Sequence, residues 1–165
     1  MTEPRDGPPQ PPDIPPRLRF RKIEIVGVGI MALLPLAAIA GAFGPATERQ
    51  EARAGSLTIE AEYPSRIRNA MTERITVDLS NEAAAPVSDI EVAFEPAFVE
   101  AFENLMFTPE PEHPYVFTVD TLEPGETRRI AIEVLAREYG RHEGTIGVDH
   151  AGGTAELPVR TTIFP

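Results

Sequence analysis

The sequence predicts an all-β fold: an antiparallel sandwich of about seven strands with one short crossover helix, carried behind a single transmembrane helix. Three observations carry this reading. A run of 19 uncharged residues, Ile25 to Phe43, follows the basic cluster Arg17, Arg19, Arg21 and Lys22. From Ser56 onward apolar residues recur at every second position, the period of a half-buried strand. Turn-forming residues then interrupt the alternation at intervals of roughly 8–12 residues or somewhat longer, the spacing of a sandwich.

Residues 1–24 form the first segment. Seven of the first 16 residues are proline, which supplies no backbone donor, so this stretch is expected to be an extended, disordered tail with polyproline character. It ends in the basic juxtamembrane cluster. Residues 25–43 form the second segment and, at about 1.5 Å per residue, reach roughly 28 Å as a helix, close to one bilayer core. The four bases before the span outweigh Arg49 and Arg53, which are offset by Glu48 and Glu51. That bias places the N-terminus in the cytoplasm and the C-terminal part outside. The expected location is a bacterial inner (cytoplasmic) membrane with a periplasmic or extracellular domain.

A cleaved signal peptide is the alternative, because Ala38-Ile39-Ala40 and Ala40-Gly41-Ala42 read as small-x-small cleavage sites. The length of the apolar run, beyond the usual signal core, favours a retained anchor, and a single Pro35 is tolerated in a membrane helix. Gly27, Gly29 and Gly41 are explained by the ordinary glycine content of membrane helices. Residues 44–55 read as a polar linker, and residues 56–165 as the outer domain.

Within that domain Leu57, Ile59, Ala61 and Tyr63 alternate with polar residues, and Pro64-Ser65 is expected to end the strand. Ile75, Val77 and Leu79 define a second strand, closed by the turn-rich Asn81 to Pro86. Ile90, Val92 and Phe94 share a face of a third strand, Val87 to Phe94. Next, Phe98, Phe102, Leu105 and Met106 fall at i, i+4, i+7 and i+8 after Pro96, which predicts a short helix. Tyr115, Phe117 and Val119 mark another strand. Pro124-Gly125 then suits the centre of a type II turn, since glycine accepts the positive φ. Ile130 to Leu135, Gly144 to Val148 and Leu157 to Phe164 complete the set, with Tyr139 to Gly144 read as a tight turn.

Composition narrows the function. The net charge is −11, and the part after Gly44 holds ten bases against 22 acids. Such a domain is a poor candidate for binding nucleic acid or an anionic membrane surface, because both would repel it. Cysteine is absent, so disulfides, thiolate metal sites and a blue-copper ligand set are excluded. The four serines, Ser56, Ser65, Ser80 and Ser88, occur in no nucleophile elbow, and His113, His142 and His150 lie far apart in sequence. Glu110, Glu112, His113 and the pair Asp149-His150 lack metal-ligand spacing and read as exposed loop residues. No catalytic residue, metal or cofactor is expected, and the protein is not expected to be an enzyme. Two candidate sites remain. Arg66 and Arg68, in the loop expected after Tyr63, suit a partner's carboxylate or phosphate. Phe98, Phe102 and Phe117 belong to the aromatic-rich 94–117 region, a candidate ligand groove.

The anchor, the Tyr63-Pro64-Ser65-Arg66 stretch, the Phe98–Phe107 segment running into Thr108-Pro109-Glu110-Pro111, Leu122-Glu123-Pro124-Gly125-Glu126 and the terminal Ile163-Phe164-Pro165 together resemble a known type. The chain is similar to small bacterial single-span membrane proteins with an immunoglobulin-like outer domain, some encoded beside YetF-like multi-span membrane proteins. Fourteen arginines to one lysine fit a GC-rich bacterial genome. The resemblance implies an immunoglobulin-like sandwich, this topology and a membrane partner, and it carries over no catalytic residues. The expected function is a membrane-anchored accessory module that binds a protein partner in the membrane or envelope. The alternative is a small-ligand or carbohydrate sensor using the 94–117 region.

Overall fold

A computed structural model describes residues 22–39, 41 and 44–165. The expected tail, with Arg17, Arg19 and Arg21, lies outside the described residues, and Lys22 opens the first helix. The chain divides into two compact units, one containing that helix and one beginning at Phe43.

Helix α1 (Lys22–Ile39) has 18 residues and contains Pro35. It is long and apolar enough to cross a membrane, and its side chains are exposed almost throughout. That combination belongs to a membrane anchor or a signal sequence.

The second unit is a mostly-β, immunoglobulin-like domain with nine strands among the described residues rather than the seven expected. They are β1 (Ala46–Ala54), β2 (Leu57–Arg68), β3 (Thr72–Asn81), β4 (Val87–Phe94), β5 (Phe102–Thr108), β6 (Val116–Leu122), β7 (Thr127–Ala136), β8 (Gly140–His150) and β9 (Gly153–Phe164). A four-residue helix, α2 (Pro96–Val99), precedes β5. The hydrogen-bonded order is β5-β7-β3-β2-β9-β8-β4-β6, with β1 paired to β2 beside that path.

Strand β2 joins the two layers. Its first half pairs antiparallel with β3, Leu57 opposite Asn81 through Glu62 opposite Thr76. Its last residues, Arg66 to Arg68, instead pair parallel with Thr162 to Phe164 of β9. Pro64 sits between these ladders. A proline suits the changeover because it has no N–H to place, and its carbonyl accepts a 2.6 Å hydrogen bond from the buried Thr161 hydroxyl.

The path does not lie flat. Strands β5 and β6 are its two ends, seven steps apart, which at about 4.8 Å per step would separate them by roughly 34 Å in an open sheet. Yet the Phe107 ring of β5 lies 5.7 Å from the Phe117 ring of β6. The sheet therefore folds over, and the alternate side chains of both layers meet in one core. Leu57, Ile59, Ile75, Val77, Leu79, Ile90, Val92, Ile130, Ile132, Ile146 and Leu157 are all buried there.

Several local expectations change. The predicted helix through Met106 is confined to α2, and Phe102 onward is strand. Residues 44–55, expected as a linker, contain β1, whose half-buried positions alternate along its length. Pro64-Ser65 does not end β2, so Arg66 and Arg68 lie on a strand instead of a loop. Gly140 to Gly144 is the start of β8 and not a turn. Gly144 is needed there for close packing: a Cβ would stand 2.4 Å from Phe98 Cβ. The Pro124-Gly125 turn is as expected, with Gly125 at φ +75° and Glu126 N–H donating to the Glu123 carbonyl at 2.9 Å.

Candidate interaction face

Strand register brings together arginines that are distant in sequence. Thr162 of β9 pairs with Arg66 on one side and with Arg141 of β8 on the other. Arg66, Thr162 and Arg141 thus form a row across three strands, with the outer backbones about 10 Å apart. Arg160 lies two residues before Thr162 and so points from the same face, while the alternate residues Val159, Thr161 and Ile163 are buried. Glu143 pairs across from Arg160 and holds the Arg141 guanidinium in an ion pair.

These groups line a concavity of about 360 Å³ formed by Glu48, Ser65, Arg66, Arg141, Arg160 and Thr162. A second concavity, of about 320 Å³, shares Glu48 and Arg160 and adds Gln50, Tyr63 and Pro158. Tyr63 is buried beneath it, and its hydroxyl accepts a hydrogen bond from Gln50 Nε2 at 2.8 Å. Burial raises the Tyr63 pKa above its ordinary value, and the Glu48 carboxylate adds to the effect.

Among the described residues, no carboxylate forms an ion pair with the exposed Arg160 guanidinium. That contrasts with the outer face of the other layer, where Arg129 holds Asp78 through two 2.7 Å bonds and Arg74 pairs with Glu133. The arrangement around Arg160 can receive a carboxylate or phosphate: a free planar fork, flanked by two further guanidiniums, with the Thr162 hydroxyl in the same concavity. Of the two arginines singled out in the sequence, Arg66 belongs to this face and Arg68 lies beyond it at the strand end. Arg141 and Arg160 were not legible as partners of Arg66, since nothing in a single sequence encodes a parallel register between β2 and β9.

The aromatic cluster is different. Phe98, Phe102 and Phe117 are 1%, 4% and 1% exposed. Phe98 packs edge-on against Phe102 at 5.6 Å, and Phe117 against Phe94 at 5.7 Å. These rings fill the core, so they offer no stacking face to a ligand.

The histidines also separate. His150 is buried, contrary to its expected exposure. Its Nε2 is 2.8 Å from the Ala54 carbonyl, and its Nδ1 accepts a 3.0 Å bond from Gly152 N–H. Both bonds together require the neutral ring with Nε2–H donating. His150 therefore clamps the β1–β2 and β8–β9 hairpins together. His142 is half-buried and bonds the Glu138 carbonyl. Among the described residues, no group of three or more His, Cys, Asp or Glu is placed to hold a metal ion.

No protein-family model matches the chain. No curated protein matches it either. Among solved structures, the CARDB domain of PF1109 from Pyrococcus furiosus is similar at 13% identity and a TM-score of 0.43, over 66% of this chain and 94% of that one. Escherichia coli alpha-2-macroglobulin is similar at 17% identity and a TM-score of 0.46, over 67% of this chain but 9% of that one. The Caenorhabditis elegans MSP family member WR4 is similar at 10% identity and a TM-score of 0.36, over 66% of this chain and 98% of that one. Likenesses this distant carry no argument about function. The resemblance to single-span bacterial proteins thus stands at the level of an immunoglobulin-like domain behind an apolar helix.

Proposed function

We propose that the protein is a membrane-anchored extracytoplasmic interaction module whose domain binds a membrane or envelope protein. Helix α1 is its retained anchor, and the Arg17, Arg19, Arg21 and Lys22 cluster keeps the N-terminus in the cytoplasm. The partner supplies an acidic segment, received by Arg66, Arg141 and Arg160.

The observation that carries this reading is the unpaired Arg160 fork inside an arginine-lined concavity, on a domain where acids outnumber bases by 22 to ten. In such a domain carboxylates are abundant, and the opposite face has ion-paired its arginines. Leaving a fork unpaired between Arg66 and Arg141 sets up a place for an outside anion. The sensor alternative loses its motivation, because the rings it would use are buried.

The test is a photo-crosslinking residue at Thr162 in the full-length protein in cells, followed by mass spectrometry of the adducts. One membrane or envelope protein should be recovered in a defined adduct. Arg160→Glu combined with Arg66→Glu should abolish that adduct, while Arg53→Glu on β1 should leave it intact. Recovery that ignores the double charge reversal, or the lack of a defined adduct, would refute the reading.

A further inference from the structure

We infer that the end of the domain where the chain arrives from α1 rests in the phospholipid headgroup layer, a contact that adjoins the partner face of Arg66, Arg141 and Arg160 and depends on α1 being a retained anchor. The chain enters the domain at Ala46, which pairs with Arg66 at the end of β1. That end is built from the β2–β3 turn, the β7–β8 turn and the last residues of β9. Asn69 N–H donates to the Phe164 carbonyl at 2.7 Å, Ala70 N–H to Ala136 at 2.9 Å, and Asn69 Nδ2 to the Tyr139 hydroxyl at 3.0 Å.

Two independent features of this end suit lipid. The first is its apolar exposure. Among the described residues outside α1, the large apolar side chains left exposed are Met71 at 41%, Tyr139 at 60%, Phe164 at 37% and Met106. Three of these four sit on this one end. Amphipathic aromatic rings are enriched at the headgroup level, where one edge is apolar and the other wet. The second feature is charge. Residues 44–48, 66–74, 95–103, 133–144 and 159–165, which form this end, hold six arginines and eight glutamates. The rest of the chain after Gly44 holds four arginines and 14 acids. Most of the negative excess therefore lies elsewhere on the domain. An anionic surface repels the remainder more strongly than this end, and so selects one orientation.

Arg68 is exposed beside Phe164 in the parallel ladder, and no carboxylate among the described residues forms an ion pair with it. Its guanidinium is placed to pair with a lipid phosphate. Docked in this way, the domain turns its acidic remainder away from the bilayer.

The chain has no tryptophan, so a single introduced one reports its own surroundings. The experiment reconstitutes the full-length protein in phosphatidylcholine–phosphatidylglycerol vesicles, some containing brominated acyl chains. Reporters are Tyr139→Trp and Phe164→Trp at this end and Glu123→Trp in the turn at the other end. Insertion through α1 is scored in the same samples by flotation after alkaline washing. The two near-end reporters should be quenched several-fold more than the Glu123→Trp reporter, and Arg68→Glu should weaken that quenching. Floating protein with equal, weak quenching at all three positions would overturn the lipid contact, leave the anchor standing and make this end a surface for a protein partner. Protein that fails to float would overturn the anchor, and the lipid contact with it.

Discussion

The contact between Phe107 and Phe117 is the most exacting test of the fold, because it joins strands at opposite ends of the hydrogen-bonded order. Truncating either ring to leucine keeps an apolar side chain in place. Phe117 is fully buried and touches both Phe94 and Phe107, each at 5.7 Å. Phe117→Leu should therefore cost about 1–2 kcal/mol, at the low end for a large aromatic in a core. Phe107 is half-buried and also meets Tyr115 at 6.4 Å, so its replacement should cost somewhat less. The informative quantity is the coupling. Two aromatic rings in contact contribute about 0.5–1.5 kcal/mol beyond their buried area, and this is what a double-mutant cycle isolates. Urea unfolding of the full-length protein in detergent, followed by far-ultraviolet circular dichroism, gives the four stabilities. Coupling within that range confirms that the sheet closes on itself. Additivity within about 0.3 kcal/mol, the behaviour of distant sites, would refute the closure.

Three further outcomes are expected. Asn81 is buried, and its side chain bonds the Ala85 and Leu122 carbonyls and the Ala83 N–H, each at 2.9 Å; Asn81→Ala should cost about 2–4 kcal/mol in the same unfolding assay, since it strands a buried carbonyl. Gly144→Ala forces a methyl against Phe98 and should cost about 1–3 kcal/mol, an effect that a companion Phe98→Leu substitution should not relieve, since leucine keeps the Cβ and Cγ atoms that the methyl meets. The dependence on pH has two limbs. Hydrogen bonds from Arg128 and from the Glu123 N–H hold the Glu126 carboxyl below its ordinary value. Its contribution is therefore present at neutral pH and lost as pH falls through the carboxylate range, and Glu126→Gln should flatten that limb. Burial, and then Glu48, raise Tyr63 above 10.0. Its contribution is present below that value and lost as pH rises beyond it, a limb that Tyr63→Phe should remove.

Much of this domain was legible because half-buried strands announce themselves. Strand β4 runs Val87–Phe94 as the alternation of Ile90, Val92 and Phe94 predicts, and the Pro124-Gly125 turn follows from glycine's access to positive φ. The failures have physical causes. Strand β1 turns alanine, glutamate and glutamine to its half-buried side, so it has no apolar stripe to read. In β5 an irregularity between Glu103 and Met106 breaks the ladder. The alternation is lost there, and the surviving apolar spacing imitates a helix. Pro64 read as a terminator because a proline in a strand usually is one; here it occupies the point where β2 changes partners. The candidate face was half legible: Arg66 stood out in the sequence, but Arg141 and Arg160 join it only through the register of β8 and β9.

The measurement that most directly tests the account is the topology and integrity of the chain in its membrane. The absence of native cysteine makes single-cysteine labelling unambiguous. Thr2→Cys and Glu123→Cys would be labelled with a membrane-impermeant maleimide in intact cells whose outer surface is accessible, alongside intact-mass analysis of the alkali-washed membrane fraction. The account predicts full-length protein in that fraction, labelling at position 123 without lysis and labelling at position 2 only after it. A shortened, alkali-soluble protein, or the reverse labelling pattern, would contradict it.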